Sequence, residues 1–198
     1  VVERDTDVLT PAEVKQYTKE IRAAILKEFG TWQQYKFFSR RPPQGARNVI
    51  DVKWVYKWQW VKVDSSSSPP GRSGDNKVRI IRARLTVQGS KDADKGTVAN
   101  YAGTSQRYSH RITNSEAVLH GWDLMTADIS KSCLQGVTYE ELAELAGEPL
   151  RVANFYLPYD SVQMPKQVQG SQTFDPHTEV LHCDKPGTGL IDAPRRSD

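Results

Sequence analysis

The sequence is poor in cysteine, in methionine and in long apolar runs. Its two cysteines, Cys133 and Cys183, form neither a Cys-x-x-Cys pair nor a disulfide framework, which favours a reducing compartment. A run of about eighteen apolar residues is missing, so no membrane-spanning helix is expected. The chain begins at Val1 rather than at an initiator methionine, and no signal peptide follows. We therefore expect a piece of a longer intracellular protein.

Metal-binding side chains are also sparse. His177, His182 and Cys183 lie close together in the sequence, but no second Cys/His pair stands at the spacing of a zinc finger. The sequence therefore does not favour a structural zinc site.

What the chain does have is an uneven distribution of charge. It contains 198 residues, 37% hydrophobic and 26% charged, which is typical of a globular domain with its own core. Residues 36–91 hold thirteen Lys/Arg against three Asp, a balance of +10. The remainder holds fourteen Lys/Arg against twenty-one Asp/Glu, a balance of −7. One basic third suits a polyanionic partner, and a solvated basic face without a partner is the alternative.

The opening helix is predicted by its capping residues. Thr10 is a capping residue, Pro11 occupies the first helical position, and Glu13 completes a capping box. Apolar residues then recur at helical spacing over 14–29, and Gly30 is predicted to end the helix.

Further elements follow from weaker patterns. Residues 42–45 (Pro-Pro-Gln-Gly) predict a turn. Residues 105–120 predict a helix, 124–129 a short strand, and a second capping box at 138–141 another short helix. From Arg151 onward the chain is rich in Pro, Gly and Gln with little periodicity, and no strand is predicted there.

A long basic hairpin is the strongest local prediction. Residues 49–63 alternate with period two, residues 64–71 form a Ser- and Pro-rich tip, and residues 78–87 form an Arg-rich second strand. One face of the first strand carries an apolar stripe of Val52, Trp54, Tyr56, Trp58 and Trp60. Aromatic side chains of this kind stack nucleic-acid bases or pack into a core, and core packing is favoured for Trp54, Tyr56 and Trp58.

Six stretches, in one order, resemble the reverse transcriptase domain of copia-type (Ty1/copia) LTR retrotransposon polyproteins. In this sequence they are Thr31-Trp32, Pro42-Pro43-Gln44-Gly45, Val49-Ile50-Asp51-Val52-Lys53-Trp54-Val55-Tyr56-Lys57, Arg82-Ala83-Arg84-Leu85 with Gly89, Trp122-Asp123-Leu124 leading to Asp128-Ile129-Ser130-Lys131-Ser132-Cys133-Leu134-Gln135-Gly136, and Gly189-Leu190-Ile191-Asp192-Ala193-Pro194-Arg195. The resemblance covers about residues 14–197.

The resemblance implies an α+β fold, a partial right-hand polymerase. Residues 1–30 would be a helical lead-in, 31–104 the fingers with the basic β-hairpin, and 105–198 the first palm segment, truncated before the second catalytic carboxylate motif. The implied function is RNA-directed DNA polymerase, a template-directed nucleotidyltransferase. The implied partners are an RNA template, a DNA primer, deoxynucleotide triphosphates and the rest of the polyprotein, and no membrane is involved. The implied location is a cytoplasmic particle or the nucleus.

The resemblance also implies part of a two-metal site. Asp128 corresponds to a catalytic carboxylate, and the carbonyl oxygen of Ile129 to a further ligand for Mg²⁺. Without the resemblance, Asp128 at a strand end would be interpreted as a helix cap. The family completes its site with adjacent aspartates, but this sequence contains no Asp-Asp pair, and Tyr159-Asp160 supplies a single carboxylate. We therefore expect the isolated chain to be inactive.

A second departure from the family concerns the sugar. Cys133 stands where the family places an aromatic residue that rejects a 2′-hydroxyl, so weaker discrimination between ribose and deoxyribose is expected. The alternative is that this sequence is a decayed copy of the enzyme. Lys57, Arg82 and Arg84 are implied to meet a triphosphate or the template backbone.

The remaining implied contacts are with nucleic acid. Lys53, Arg195 and Arg196 are expected at the primer–template, with plain solvent exposure as the alternative for the two arginines. Two other functions stay open for the whole chain. The first alternative is a non-catalytic nucleic-acid-binding remnant that uses the basic hairpin. The second is a protein that uses the fold as an interaction scaffold.

Overall fold

The computed structural model describes residues 7–62, 77–96, 106–125, 132–147, 149–187 and 189–190. Its helices are α1 (Pro11–Gln16), α2 (Thr18–Gln34), α3 (Arg107–His120), α4 (Ser132–Gln135) and α5 (Tyr139–Ala146). Its strands are β1 (Phe38–Arg41), β2 (Val49–Ile50), β3 (Val52–Lys62), β4 (Lys77–Val87), β5 (Asn154–Phe155) and β6 (Val180–Cys183). This mixture of helices and sheets is compatible with the α+β class.

The predicted capping box starts α1. The Glu13 amide donates to Thr10 Oγ1 at 3.4 Å, and the Thr10 amide donates to the Glu13 carboxylate at 2.8 Å. The helix is interrupted at Tyr17 (φ −102°, ψ 34°), and α2 then continues to Gln34. The prediction that Gly30 ends the helix is therefore wrong. Burial of Trp32, which is 1% exposed, outweighs the roughly 1 kcal/mol that a glycine costs inside a helix.

The basic hairpin forms as predicted. Strands β3 and β4 are antiparallel and pair continuously from Val52 opposite Val87 to Lys62 opposite Lys77. The predicted first strand is divided, because Asp51 separates β2 from β3. Helix α2 lies across one face of the hairpin, where the ring of Phe29 meets Trp54 edge-on at 5.4 Å. This contact buries one face of the hairpin and leaves the other without a covering helix among the described residues.

A four-stranded sheet was not predicted. Its order is β1-β6-β5-β2, with β1 and β5 antiparallel to β6 and β2 parallel to β5. Every residue of β6 is buried. Trp32 joins this sheet to α2, because its ring lies 4.2 Å from Phe37 and 6.1 Å from Phe155. One hydrophobic core therefore includes side chains from α2, the hairpin and the four-stranded sheet.

The predicted helix over 105–120 and the second capping box are both confirmed. Helix α3 ends at Gly121, whose φ of 64° is left-handed, and Ala117 is the one buried residue along it. Leu124 and Met125 are exposed and belong to no strand, and the rest of the predicted strand lies outside the described residues. None of the helices in the described part of the chain has the length and apolarity that crossing a bilayer demands.

Candidate nucleic-acid interface

The hairpin face that points away from α2, here called the outer face, carries four predicted binding residues. Lys53 and Lys57 lie on β3, and Arg82 and Arg84 lie on β4. Strand pairing places Lys57 directly opposite Arg82, while Arg84 is two positions further along the same face of β4. The structure therefore brings together the four cations that the sequence predicts on both strands.

The outer face concentrates positive charge without a compensating acid. Among the described residues, none of the four cations takes part in a salt bridge. Arg82 Nη1 donates a long hydrogen bond to Gln59 Oε1, at 3.5 Å. Like charges directly opposite in a sheet are destabilising, by about 0.2–1 kcal/mol on the scale of cross-strand pairs. A bound anion between Lys57 and Arg82 would remove this repulsion.

A groove is present where the charges converge. It measures about 250 Å³ and is lined by Lys57, Trp58, Gln59, Arg82 and Arg84. Guanidinium groups donate two parallel hydrogen bonds to one phosphate, and lysine adds a point charge. The lining is therefore suited to phosphate groups of a nucleic acid or a nucleotide.

The aromatic face of β3, which lies opposite the outer face, attaches the strand to the rest of the fold. Trp54 Nε1 donates to Ser161 Oγ at 2.8 Å, and Trp58 Nε1 donates to Glu13 Oε1 at 3.3 Å. Trp54, Tyr56 and Trp58 pack against the core, so the prediction of core packing is confirmed for all three. Burial, aided by the charge of Asp160, raises the pKa of Tyr56 to about 12. The outer-face cations thus stand on a rigid strand rather than on a loop.

Sequence reasoning did not identify a second feature at the far end of the hairpin. The Arg79 guanidinium lies 4.5 Å from the centroid of the Trp58 ring and 6.0 Å from that of Trp60. Trp60 is 63% exposed, unlike the other aromatics of the stripe. An accessible indole beside an arginine is suited to stacking an unpaired base. Arg79 and Trp60 are neighbours because they pair across the two strands. The sequence does not show this pairing unless the register of the hairpin is known.

The predicted catalytic residues are not in the described region. Asp128, Ile129, Arg195 and Arg196 lie outside the described residues, and so does the side chain of Cys133. Over the ranges that the structure describes, no three His, Cys, Asp or Glu residues are grouped to hold a metal ion. The Mg²⁺ ligands expected at Asp128 and Ile129 stay a prediction.

A buried polar network supports the base of the hairpin. Arg151 Nη1 donates to Asp94 at 2.7 Å, and Arg151 Nη2 also pairs with the buried Asp92 carboxylate. Asn48 Nδ2 donates to Asp92 at 3.0 Å. Burial would raise the pKa of Asp92, but hydrogen bonds from Arg151, Asn48 and a backbone amide outweigh it and lower the pKa below its ordinary value. The network is structural, because its polar atoms bind one another.

Comparison of the chain with models of protein families, with curated proteins and with solved structures gave no match. The resemblance to copia-type reverse transcriptases therefore stays a prediction from the sequence motifs.

Proposed function

We propose that the chain is the fingers and first palm segment of a copia-type reverse transcriptase, and that the outer face binds nucleic-acid phosphates. The observation that carries the binding function is the meeting of Lys57, Arg82 and Arg84 at one groove with no acidic partner among the described residues. Lys53 extends the same positive face toward Thr86, its neighbour on β4. Such a face attracts polyanions through charge alone and carries no preference for sequence.

The catalytic part of the proposal rests on the motifs. Asp128 and the carbonyl oxygen of Ile129 would supply oxygen ligands to Mg²⁺, and Cys133 would lie under the sugar of the incoming nucleotide. The metal's contribution in such a site is to neutralise phosphate charge and to activate the attacking oxygen. One carboxylate does not hold two metal ions, so we expect no primer extension by the chain itself. Incorporation of nucleotides that depends on Asp128 would contradict this expectation.

Two other functions each have one observation in their favour. The sequence lacks an Asp-Asp pair, which favours a non-catalytic nucleic-acid-binding remnant. Helix α3 exposes Ile112, Val118 and Leu119, which favours a scaffold that binds another protein. The remnant shares the outer face with the polymerase, whereas the scaffold does not need it. Binding through the outer face therefore separates the scaffold from the other two.

The test compares two variants that lose the same charge. The first replaces Lys53, Lys57, Arg82 and Arg84 with glutamine. The control replaces four exposed cations of α1 and α2 in the same way, namely Lys15, Lys19, Arg22 and Lys27. Affinity for a fluorescent single-stranded RNA and for an RNA–DNA hybrid is measured by anisotropy at low salt.

We expect the outer-face variant to bind at least tenfold more weakly than the control variant. Equal losses in the two variants would show that net charge, rather than this face, governs binding. The wild-type chain failing to bind either ligand would leave the scaffold function.

A further inference from the structure

A second basic groove lies on the four-stranded sheet and shares no residue with the outer face. It measures about 330 Å³ and lies between the turn after β1 and the side chains of β5 and β6. Arg41 at the end of β1 and Arg47 after the turn line one side of it, and Asn154 and His182 line the other. The last two are 3% and 5% exposed, so the buried part of the lining includes polar side chains.

The hydrogen-bond network assigns the tautomer of His182. Asn154 Nδ2 donates to the carbonyl oxygen of Arg47, and Asn154 Oδ1 lies 2.9 Å from His182 Nδ1. Because an amide oxygen only accepts, Nδ1 of His182 carries the proton. Burial and the charge of Arg41 lower the pKa of His182 to about 4, which keeps the ring neutral near pH 7. The other nitrogen, Nε2, therefore has a free lone pair.

That lone pair is available to a ligand. Within the described part of the chain, the His182 ring makes one hydrogen bond, through Nδ1. The ring belongs to a residue that is 5% exposed and lines the groove. A hydrogen-bond acceptor in such a position favours a ligand with an O–H or N–H donor.

The charges around the acceptor are positive. Arg47 makes no ion pair with the residues that the structure describes. Arg41 Nη2 lies 3.9 Å from Glu140 and from Asp184, which is long for a salt bridge, and its side chain stays 45% exposed. No carboxylate is among the residues that line the groove. Two arginines thus line the same groove as this acceptor.

We propose that this groove binds a phosphate ester that carries a neighbouring hydroxyl group. The phosphate pairs with Arg41 and Arg47, and the hydroxyl donates to Nε2 of His182. A ribonucleotide has this chemistry, because its 2′-hydroxyl lies beside the 3′-phosphate, whereas a deoxyribonucleotide lacks the donor. The ligand is therefore a ribonucleotide unit, supplied either by an RNA strand or as a free nucleotide. The inference does not depend on the function proposed for the outer face.

The test follows the ring of His182 directly. The whole chain, labelled with ¹⁵N-histidine, is titrated at pH 7.5 with cytidine 3′-monophosphate and, separately, with its 2′-deoxy counterpart. We expect the Nε2 resonance of His182 to move with the ribonucleotide, and the ribonucleotide to bind about threefold to tenfold more tightly, as one hydrogen bond predicts. Equal affinities, or an Nε2 resonance that neither compound moves, would overturn the proposal.

Two further arms identify the source of the ligand and the role of charge. If an oligoribonucleotide moves the Nε2 resonance at lower concentration than the free nucleotide, the ligand is an RNA strand, and the reverse order assigns a free nucleotide. Arg47→Gln should weaken binding of the ribo and deoxy compounds alike, whereas Arg111→Gln on α3 should change neither. Equal loss with Arg47→Gln and Arg111→Gln would contradict a site at this groove.

Discussion

Replacing Arg82 with glutamine should stabilise the fold and weaken nucleic-acid binding at the same time. Arg82 lies directly opposite Lys57, and among the described residues it donates one long hydrogen bond, to Gln59 at 3.5 Å. Removing one charge of a like-charged cross-strand pair should raise the free energy of unfolding by about 0.2–1 kcal/mol. Loss of one phosphate contact to a single strand should reduce the slope of log K against log salt by about 0.7 in magnitude.

Two assays on the same samples separate function from structure. Urea unfolding at low salt measures the stability, and anisotropy with a single-stranded RNA at several salt concentrations measures the slope. Arg22→Gln on the exposed side of α2 is the matched control, and we expect it to change neither quantity by more than the error. An Arg82→Gln protein that is less stable and binds as before would contradict both expectations, because Arg82 would then be a structural residue.

Three further predictions concern stability. Gly30→Ala should raise the free energy of unfolding by about 0.5–1 kcal/mol in a thermal melt, because Gly30 lies inside α2 and an added Cβ meets no atom within 4 Å. Asp92→Asn should lower it by about 3 kcal/mol in urea, because the buried Arg151 loses a charged partner, and an unchanged midpoint would contradict this role. The pKa of His182 in the folded chain is about 4, below its ordinary value of 6.5, so the unfolded chain takes up the proton first as the pH falls. The free energy of unfolding should therefore fall by about 3 kcal/mol as the pH drops from 6.5 to 4. His182→Gln should remove that part of the pH dependence, and His177→Gln, which changes an exposed histidine, should leave it in place.

The elements that the sequence predicts are those with local signals. The capping boxes at Thr10 and Thr138 each need only residues three positions apart, and both form. The apolar stripe of β3 recurs at every second position and the Arg-rich β4 follows it closely in the sequence, so the hairpin is recognisable without knowledge of the register. Gly30 misled the prediction because the decisive interaction is tertiary, namely the burial of Trp32 against Phe37 and Phe155.

The four-stranded sheet has no such local signal. Strands β2 and β5 are two residues long, which is too short to show alternation. Strand β6 is buried at all four positions, so it does not alternate either, and its polar His182 argues against a core strand. Two of the three pairings in this sheet join residues more than a hundred positions apart, as between Ser39 and His182. A pattern within a short window does not contain that information.

The two candidate sites differ in the same way. On the outer face, the spacing of Lys53 and Lys57 already places them on one side of β3, and only the register with Arg82 and Arg84 had to come from the structure. The groove around His182 combines residues from three distant segments, 41–47, 152–154 and 180–182. Its acceptor atom is recognisable only once the hydrogen bond to Asn154 is known.

The salt dependence of RNA binding by the unmodified chain tests whether the outer face binds nucleic-acid phosphates. If Lys53, Lys57, Arg82 and Arg84 each neutralise one phosphate of a single strand, log K should fall linearly with log salt with a slope of about −3, since each contact contributes about −0.7. The measurement is an anisotropy titration of a single-stranded RNA from low to physiological salt. We expect a slope near −3. An affinity that does not change over that range would contradict it, because binding would then not depend on the charges of the outer face.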